Sequence, residues 1–195
     1  MDIDRLISSR SRGVDASGIR RVFALGATMK DPINLSIGQP DFGPPESVLA
    51  GATAAIEAGH NGYTQTWGTT ELRSRIAGLL RADVGWDAAV AGGSGGDGVE
   101  QLVTSGTSGA LLLAAMAMLG PGDEMIVPDP YFVCYPALAQ MCDAKAVPCD
   151  TYPDFRLTAE RVEPLITERT KFVLANSPST PAGVVLNAGD WADLR

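Results

Sequence analysis

The hydrophobic pattern of this chain changes character near residue 100. Before that point the apolar positions recur with helical spacing. Pro45 suits the first position of a helix reaching about Ala58, where its missing N–H would go unpaired in any case. Leu72, Ile76, Leu79 and Leu80 fall on one face of a second helix, Glu71 to Ala82, and that face predicts packing on a core. Residues 1–30 are amphipathic but irregular, and predict a segment that wraps onto a larger body. Ile33-Asn34-Leu35-Ser36-Ile37 is a short alternating run. It runs into Gly38-Gln39-Pro40-Asp41-Phe42-Gly43-Pro44-Pro45, an ordered connection that reads equally as a hinge or a surface loop.

From residue 101 the rhythm becomes strand, helix, strand, helix. Leu102-Val103-Thr104 predicts a strand, and the helix from Ala110 to Leu119 stops at Gly120-Pro121-Gly122. Glu124 to Val127 predicts the next strand, and Tyr135 to Met141 the next helix. Ala146-Val147-Pro148 is a third strand, with Pro148 assigning it to a sheet edge because proline donates nothing to a ladder. Thr158 is placed to cap a helix through Leu165. Lys171 to Ala175 is a continuous apolar run of the kind buried on both faces, and Asn187 opens a last helix. Alternation of this kind predicts an open parallel α/β sheet.

Composition narrows the class. At 195 residues, 45% of them hydrophobic, the chain can build one solid core or one and a half small domains. No apolar run has the length of a membrane span, and residues 1–12 lack the apolar centre of a signal peptide, so a cytoplasmic protein without a membrane partner is expected. Cys134, Cys142 and Cys149 are odd in number and lack metal-type spacing, which predicts reduced thiols. His60 is the only histidine and cannot anchor a His-based metal cluster. A net charge of −8 with no basic patch argues against nucleic acid as a partner.

The chemistry is concentrated in three turns. Val103-Thr104-Ser105-Gly106-Thr107-Ser108-Gly109 leads from a strand pattern into a helix, the arrangement that turns free backbone N–H groups and a helix dipole toward a phosphate. Gly106 allows close backbone approach, and Thr107 and Ser108 add hydroxyl donors, although small residues also serve as plain strand-to-helix punctuation. The second turn, Pro128-Asp129-Pro130-Tyr131-Phe132-Val133-Cys134-Tyr135-Pro136, follows the second strand and holds an aromatic side chain. The third, Asn176-Ser177-Pro178-Ser179-Thr180-Pro181-Ala182-Gly183, follows the buried run. Open parallel sheets bind ligands at the carboxyl ends of their strands. An anion cradle, an aromatic ring and a stiff polar turn at that edge suit a flat, phosphorylated heteroaromatic ligand. The glycines of Ala88 to Gly98 predict a flexible loop, not a nucleotide fingerprint.

With these turns in place, the chain resembles the fold-type-I pyridoxal-phosphate aminotransferases of the aspartate aminotransferase superfamily. The resemblance rests on an ordered series: Ser36-Ile37-Gly38-Gln39-Pro40-Asp41-Phe42, then Gly62-Tyr63-Thr64-Gln65-Thr66-Trp67-Gly68 leading to Glu71-Leu72-Arg73, then the three turns above. It covers the chain from about residue 18 onward. It implies a three-layer α/β/α large domain with a mostly parallel sheet, incomplete here, over residues 45–195. Residues 1–44 would form an arm and a segment of a smaller domain. Gly106, Thr107 and Ser108 would hold the phosphate of pyridoxal 5′-phosphate. Phe132 would stack on its ring, the other reading being an ordinary core aromatic. Gly38 would admit the substrate carboxylate to its backbone, or be a plain loop glycine. Tyr63 would reach across a homodimer interface to the partner's cofactor phosphate, or be an ordinary surface or core tyrosine. Asn176 would satisfy backbone groups of its own loop.

Two departures from the family pattern stand out. The family reads Asn-Pro-Thr-Gly where this chain reads Thr180-Pro181-Ala182-Gly183. The asparagine donates to the ring's phenolic oxygen; Thr180 has one hydroxyl and a shorter reach, and losing such a charge-assisted bond costs about 1.5–3 kcal/mol. The second departure is larger. The Schiff-base lysine, the carboxylate facing the ring nitrogen and the anchoring arginines lie, in the family, past the position of Arg195. Lys30, Lys145 and Lys171 read as solvated surface lysines, and Asp97 and Asp129 lack the context of a ring-nitrogen partner. The family also interleaves late strands between the first and fourth seen here, without which the first strand has no neighbour. The chain is therefore expected to be the amino-terminal part of a longer protein and inactive by itself. The parent's expected reaction is transamination between an α-amino acid and a 2-oxo acid. The same scaffold also hosts β-eliminating lyases and non-catalytic binding modules. A nucleotide-binding domain using Gly106 to Gly109, with Asp129 at a ribose, leaves Pro130-Tyr131-Phe132 unexplained.

Overall fold

The computed structural model describes residues 5–14, 18–33, 35, 38, 40–88, 90 and 99–195. The chain divides into two compact units, residues 1–36 with 106–195, and residues 37–105.

The first unit is built on three parallel strands. They are β1 (Glu124–Asp129), β2 (Lys145–Asp150) and β3 (Thr170–Val173), in the order β2-β1-β3. Around them in chain order run α1 (Ser9–Arg12) and α2 (Gly18–Gly26) before the second unit, then α5 (Gly106–Met118), α6 (Cys134–Met141), α7 (Ala159–Val162) and α8 (Ala188–Asp193). The two-residue alternation of the strands sorts their side chains into two layers. Met125 and Val127 point toward α5 and α6, meeting Ala115, Leu119, Tyr135, Leu138 and Ala139. Ile126 points the other way, to Cys149, Leu157 and Val162 beside α7. The expected parallel α/β sheet with helices on both faces is what forms.

Several expectations need correction. Leu102-Val103-Thr104 is not a strand. The described sheet offers it no ladder partner, and the Val103 amide instead donates to the Trp67 carbonyl at 3.1 Å within the second unit. The run of β3 packs on both faces, Phe172 toward the α5–α6 layer and Val173 toward Ile126 and Val162, but as the border of the described sheet it is only half-buried and Lys171 is exposed. Thr158 precedes α7 without a side-chain cap, and the helix passes into a single 3₁₀ turn at Glu163–Leu165, where Pro164 removes an amide. The helix predicted from Ala110 begins four residues earlier, at Gly106. Of the alternating run at residues 33–37, Asn34, Ser36 and Ile37 lie outside the described residues, and Ile33 and Leu35 are exposed. β2 does lie at the sheet edge, with Pro148 opposite Val127, as its proline requires.

The second unit holds α3 (Glu46–Glu57) and α4 (Thr70–Val84). Pro45 is the N-cap of α3 and not its first residue. Thr69 caps α4 through its side chain, which accepts from the Leu72 amide. The face predicted to pack is largely open, since Leu72 and Leu79 are exposed; the buried residue of α4 is Arg73. Gly68 is buried with φ of +101°, and a Cβ there would sit 2.6 Å from the Val103 side chain, so only glycine lets the chain fold back on Val103.

At the amino edge of the sheet, Glu124 is buried. Its carboxylate accepts from the Thr167 hydroxyl at 2.7 Å and the Arg169 guanidinium at 2.9 Å. The Thr167 hydrogen bond first, and Arg169 second, hold the carboxyl below its ordinary value of 4.5. A depressed folded-state pKa adds stability that is complete above the unfolded value and is lost as pH falls through the folded one. Glu124→Gln is therefore expected to flatten the decline of the thermal midpoint below about pH 4.5. Equal acid slopes in unfolding scans of the variant and the wild type would refute the assignment.

Among the described residues, no helix is long and apolar enough to cross a membrane, and no group of His, Cys, Asp and Glu could hold a metal ion.

Candidate functional site

The first element of the site is the start of α5. Thirteen helical residues span about 20 Å, close to the length of a six-residue strand. The helix packs on β1 through Ala115, and the chain turns from its end into the start of β1 within six residues. Its first turn therefore lies level with the carboxyl end of β1. Gly106 opens the helix with φ of +69°, in the left-handed region, and a Cβ there would meet nothing within 4 Å. Thr107 and Ser108 are exposed in the first turn, which contains no acidic residue. The positive end of the helix dipole and two exposed hydroxyls make this an anion-receptive surface.

The second element is the exit of β1. Asp129 ends the strand, and Pro130, Tyr131 and Phe132 lead into α6. Phe132 is partly buried. It packs edge-on against Tyr135, with ring centroids 5.8 Å apart at 72°, and its carbonyl accepts the Tyr135 amide at 3.0 Å. These contacts tie the ring to the α5–α6 layer while leaving part of it open. Beside it, burial pushes the Cys134 thiol up from its ordinary value.

The third element is the exit of β3. The loop is held by its serines: the Ser177 hydroxyl accepts the Leu186 amide at 2.9 Å, and the Ser179 hydroxyl accepts the Val184 amide at 3.0 Å. The Ser179 amide donates to the Val184 carbonyl and its carbonyl accepts from Gly183, closing a tight turn with the exposed Thr180 within it. The role expected of Asn176 is carried by Ser177 and Ser179. Serine hydroxyls facing backbone amides in short turns were the available signal.

Gly106, Thr107, Ser108, Phe132 and Thr180 thus stand on three segments at the carboxyl edge of one sheet. Gly38 and Tyr63 belong to the other unit, where Gly38 is exposed with open space beside it and Tyr63 is wholly exposed. Asp97 lies outside the described residues. Lys145 and Lys171 stand at the opposite, amino edge of the sheet; Lys145 starts β2, and the Lys171 ammonium lies 3.5 Å from Asp123. Lys30 is exposed on the segment after α2.

Comparison with known proteins bears on this arrangement. A sequence profile of the family "Aminotransferase class I and II" matches residues 30–195. The chain belongs to this aminotransferase family. It is 38% identical over 193 residues to the aspartate aminotransferase of Rhizobium meliloti strain 1021, covering 96% of this chain and 45% of that protein. It is 37% identical over 188 residues to the probable N-acetyl-LL-diaminopimelate aminotransferase of Bacillus subtilis strain 168, covering 95% and 46%. Among solved structures, aspartate aminotransferase from Thermus thermophilus with maleate superposes with a TM-score of 0.87 at 31% identity, covering 96% of this chain and 49% of that one. The chain spans about half the length of the aminotransferases it matches.

Proposed function

We propose that this chain carries the phosphate- and ring-binding part of a pyridoxal-phosphate-dependent aminotransferase that moves an amino group between an α-amino acid and a 2-oxo acid. The observation that supports this reading is that a helix opened by a left-handed glycine packs on the sheet whose β1 and β3 lead into a partly exposed aromatic and a serine-held turn. The residues fit the group at two points. The left-handed Gly106 and the exposed Thr107 and Ser108 suit a phosphate, and the open part of Phe132 suits a planar ring. When bound, pyridoxal phosphate supplies the electron sink for amino-acid chemistry. The chain's own residues bind and orient: the first turn of α5 takes the phosphate, Phe132 limits ring tilt, and Thr180 offers one hydroxyl to the ring edge.

Lys30, Lys145 and Lys171 take no part in this reading, because the latter two stand at the wrong end of the sheet and the first lies before the second unit. The named relatives act on different amino acids, so the shared α-amino-acid core is the substrate class proposed. We also propose association into a homodimer, in which Tyr63 of one copy serves the other. Its support is the wholly exposed Tyr63 and an α3 that leaves Val48, Leu49 and Ile56 uncovered within its own unit.

The test uses pyridoxine 5′-phosphate, which carries the ring and phosphate but no aldehyde to react with surface lysines. Offset aromatic stacking contributes about 0.5–1.5 kcal/mol, so Phe132→Leu is expected to weaken its binding about 2- to 12-fold. Phe132→Tyr is expected to preserve it. Equal binding by wild type and Phe132→Leu in a fluorescence titration would remove Phe132 from the site.

A further inference from the structure

We infer that Thr151, held in turn by Arg161, is the positioning residue that sets the loop carrying Phe132. The inference rests on the proposed stacking role of Phe132. Thr151 follows β2 and is 1% exposed, an unusual place for a hydroxyl unless it is engaged. Its hydroxyl donates to the Asp129 carbonyl at 2.6 Å, and its amide donates to the same oxygen at 3.1 Å. Asp129 is the last residue of β1, and the loop to Phe132 starts at the next residue. Pro130 has no amide with which to continue a ladder, so the paired donation from Thr151 is the last lateral hold on the chain before Phe132.

Thr151 is itself fixed from the other side. Its carbonyl accepts from the Phe155 amide at 2.7 Å and from the Arg161 guanidinium at 3.2 Å. The same guanidinium donates to the Arg156 carbonyl at 2.6 Å and the Tyr152 carbonyl at 3.2 Å, and pairs with Asp154 at 2.7 Å. One planar side chain thereby ties down the turn from Thr151 to Arg156, and Thr151 passes that rigidity to β1. Three of these contacts are made by Nη1 and the one to Tyr152 by Nη2. Strand pairing needs only the amide of Thr151. The added hydroxyl fixes the direction in which the chain leaves β1, and so where the ring of Phe132 lies.

The experiment compares two probes on the 195-residue chain, pyridoxine 5′-phosphate and inorganic phosphate, well below the unfolding temperature. Thr151→Val keeps the shape and the amide but loses the hydroxyl donor. It is expected to weaken pyridoxine 5′-phosphate about 2- to 10-fold, the range for one neutral hydrogen bond, while leaving inorganic phosphate unchanged. Thr151→Ser should restore binding, and Thr151→Val combined with Phe132→Leu should bind no worse than Phe132→Leu alone. Parallel weakening of both probes would mean a general structural role and overturn the inference. Unchanged pyridoxine 5′-phosphate binding in Thr151→Val, with Phe132→Leu still impaired, would overturn it while leaving the stacking reading intact. No effect of Phe132→Leu would sink both. Should Thr151→Val fail to fold, Arg161→Met, which keeps the stem and removes the donors, tests the same chain of contacts: a loss confined to the ring-bearing probe supports the inference, and an equal or absent loss overturns it.

Discussion

Ile126→Ala is expected to lower the stability of the chain by about 2–5 kcal/mol, the range for deleting a buried branched side chain from a packed core. Ile126 has no exposed surface. It sits in the central strand, between Val147 on β2 and Val173 on β3, and packs on Cys149, Leu157 and Val162. Those contacts come from three directions, so the cavity left by truncation cannot collapse from one side alone. The comparison is Ile166→Ala, where the side chain is 56% exposed; an exposed substitution of this kind stays within about 0.5 kcal/mol. Urea denaturation of both variants checks the pair, and similar losses would show that the layer beneath β1 is not the core assigned here.

Gly106→Val acts on the proposed site instead. A side chain at φ of +69° costs roughly 1–2 kcal/mol in backbone strain, and a β-branched one no less. The added atoms meet open space and not protein, so they crowd whatever approaches the first turn of α5. Relief of the strain toward ordinary helical angles would also turn the first amides away from a bound phosphate. Losing one charge-assisted amide–phosphate bond is worth about 1.5–3 kcal/mol, so inorganic phosphate affinity is expected to fall at least about 10-fold. Phosphate titration followed by amide chemical shifts reads this directly. Retained affinity in a folded Gly106→Val chain would place the phosphate elsewhere.

The parallel sheet was legible because its signals are local. Glu124 to Val127 and Ala146 to Pro148 carry strand patterns short enough to be unambiguous, and Pro148 named its own edge. The turns at Gly106, Phe132 and Thr180 were legible for the same reason, since glycine permits and proline imposes backbone angles whatever surrounds them. Leu102-Val103-Thr104 shows the limit. Its β-branched and apolar residues fit a strand, but a strand is a pairing, and the Val103 amide pairs with the Trp67 carbonyl instead. α4 shows it again: helical spacing placed Leu72 and Leu79 together on one face without saying that Arg73 would be the residue buried.

From residue order alone came the α/β rhythm, the three chemically distinctive turns and membership of a family whose motifs survive in sequence. Those properties follow from neighbours along the chain, where propensity and turn chemistry act over a few residues. The three-dimensional arrangement settled which strand is central, that Ser177 and Ser179 hold the last turn, and that Thr151 and Arg161 anchor the exit of β1. Each of these depends on groups brought within 3.5 Å from positions five or more residues apart. Hydrogen bonds and ladders of that kind select among partners only once packing has placed them side by side, and no local pattern records the choice.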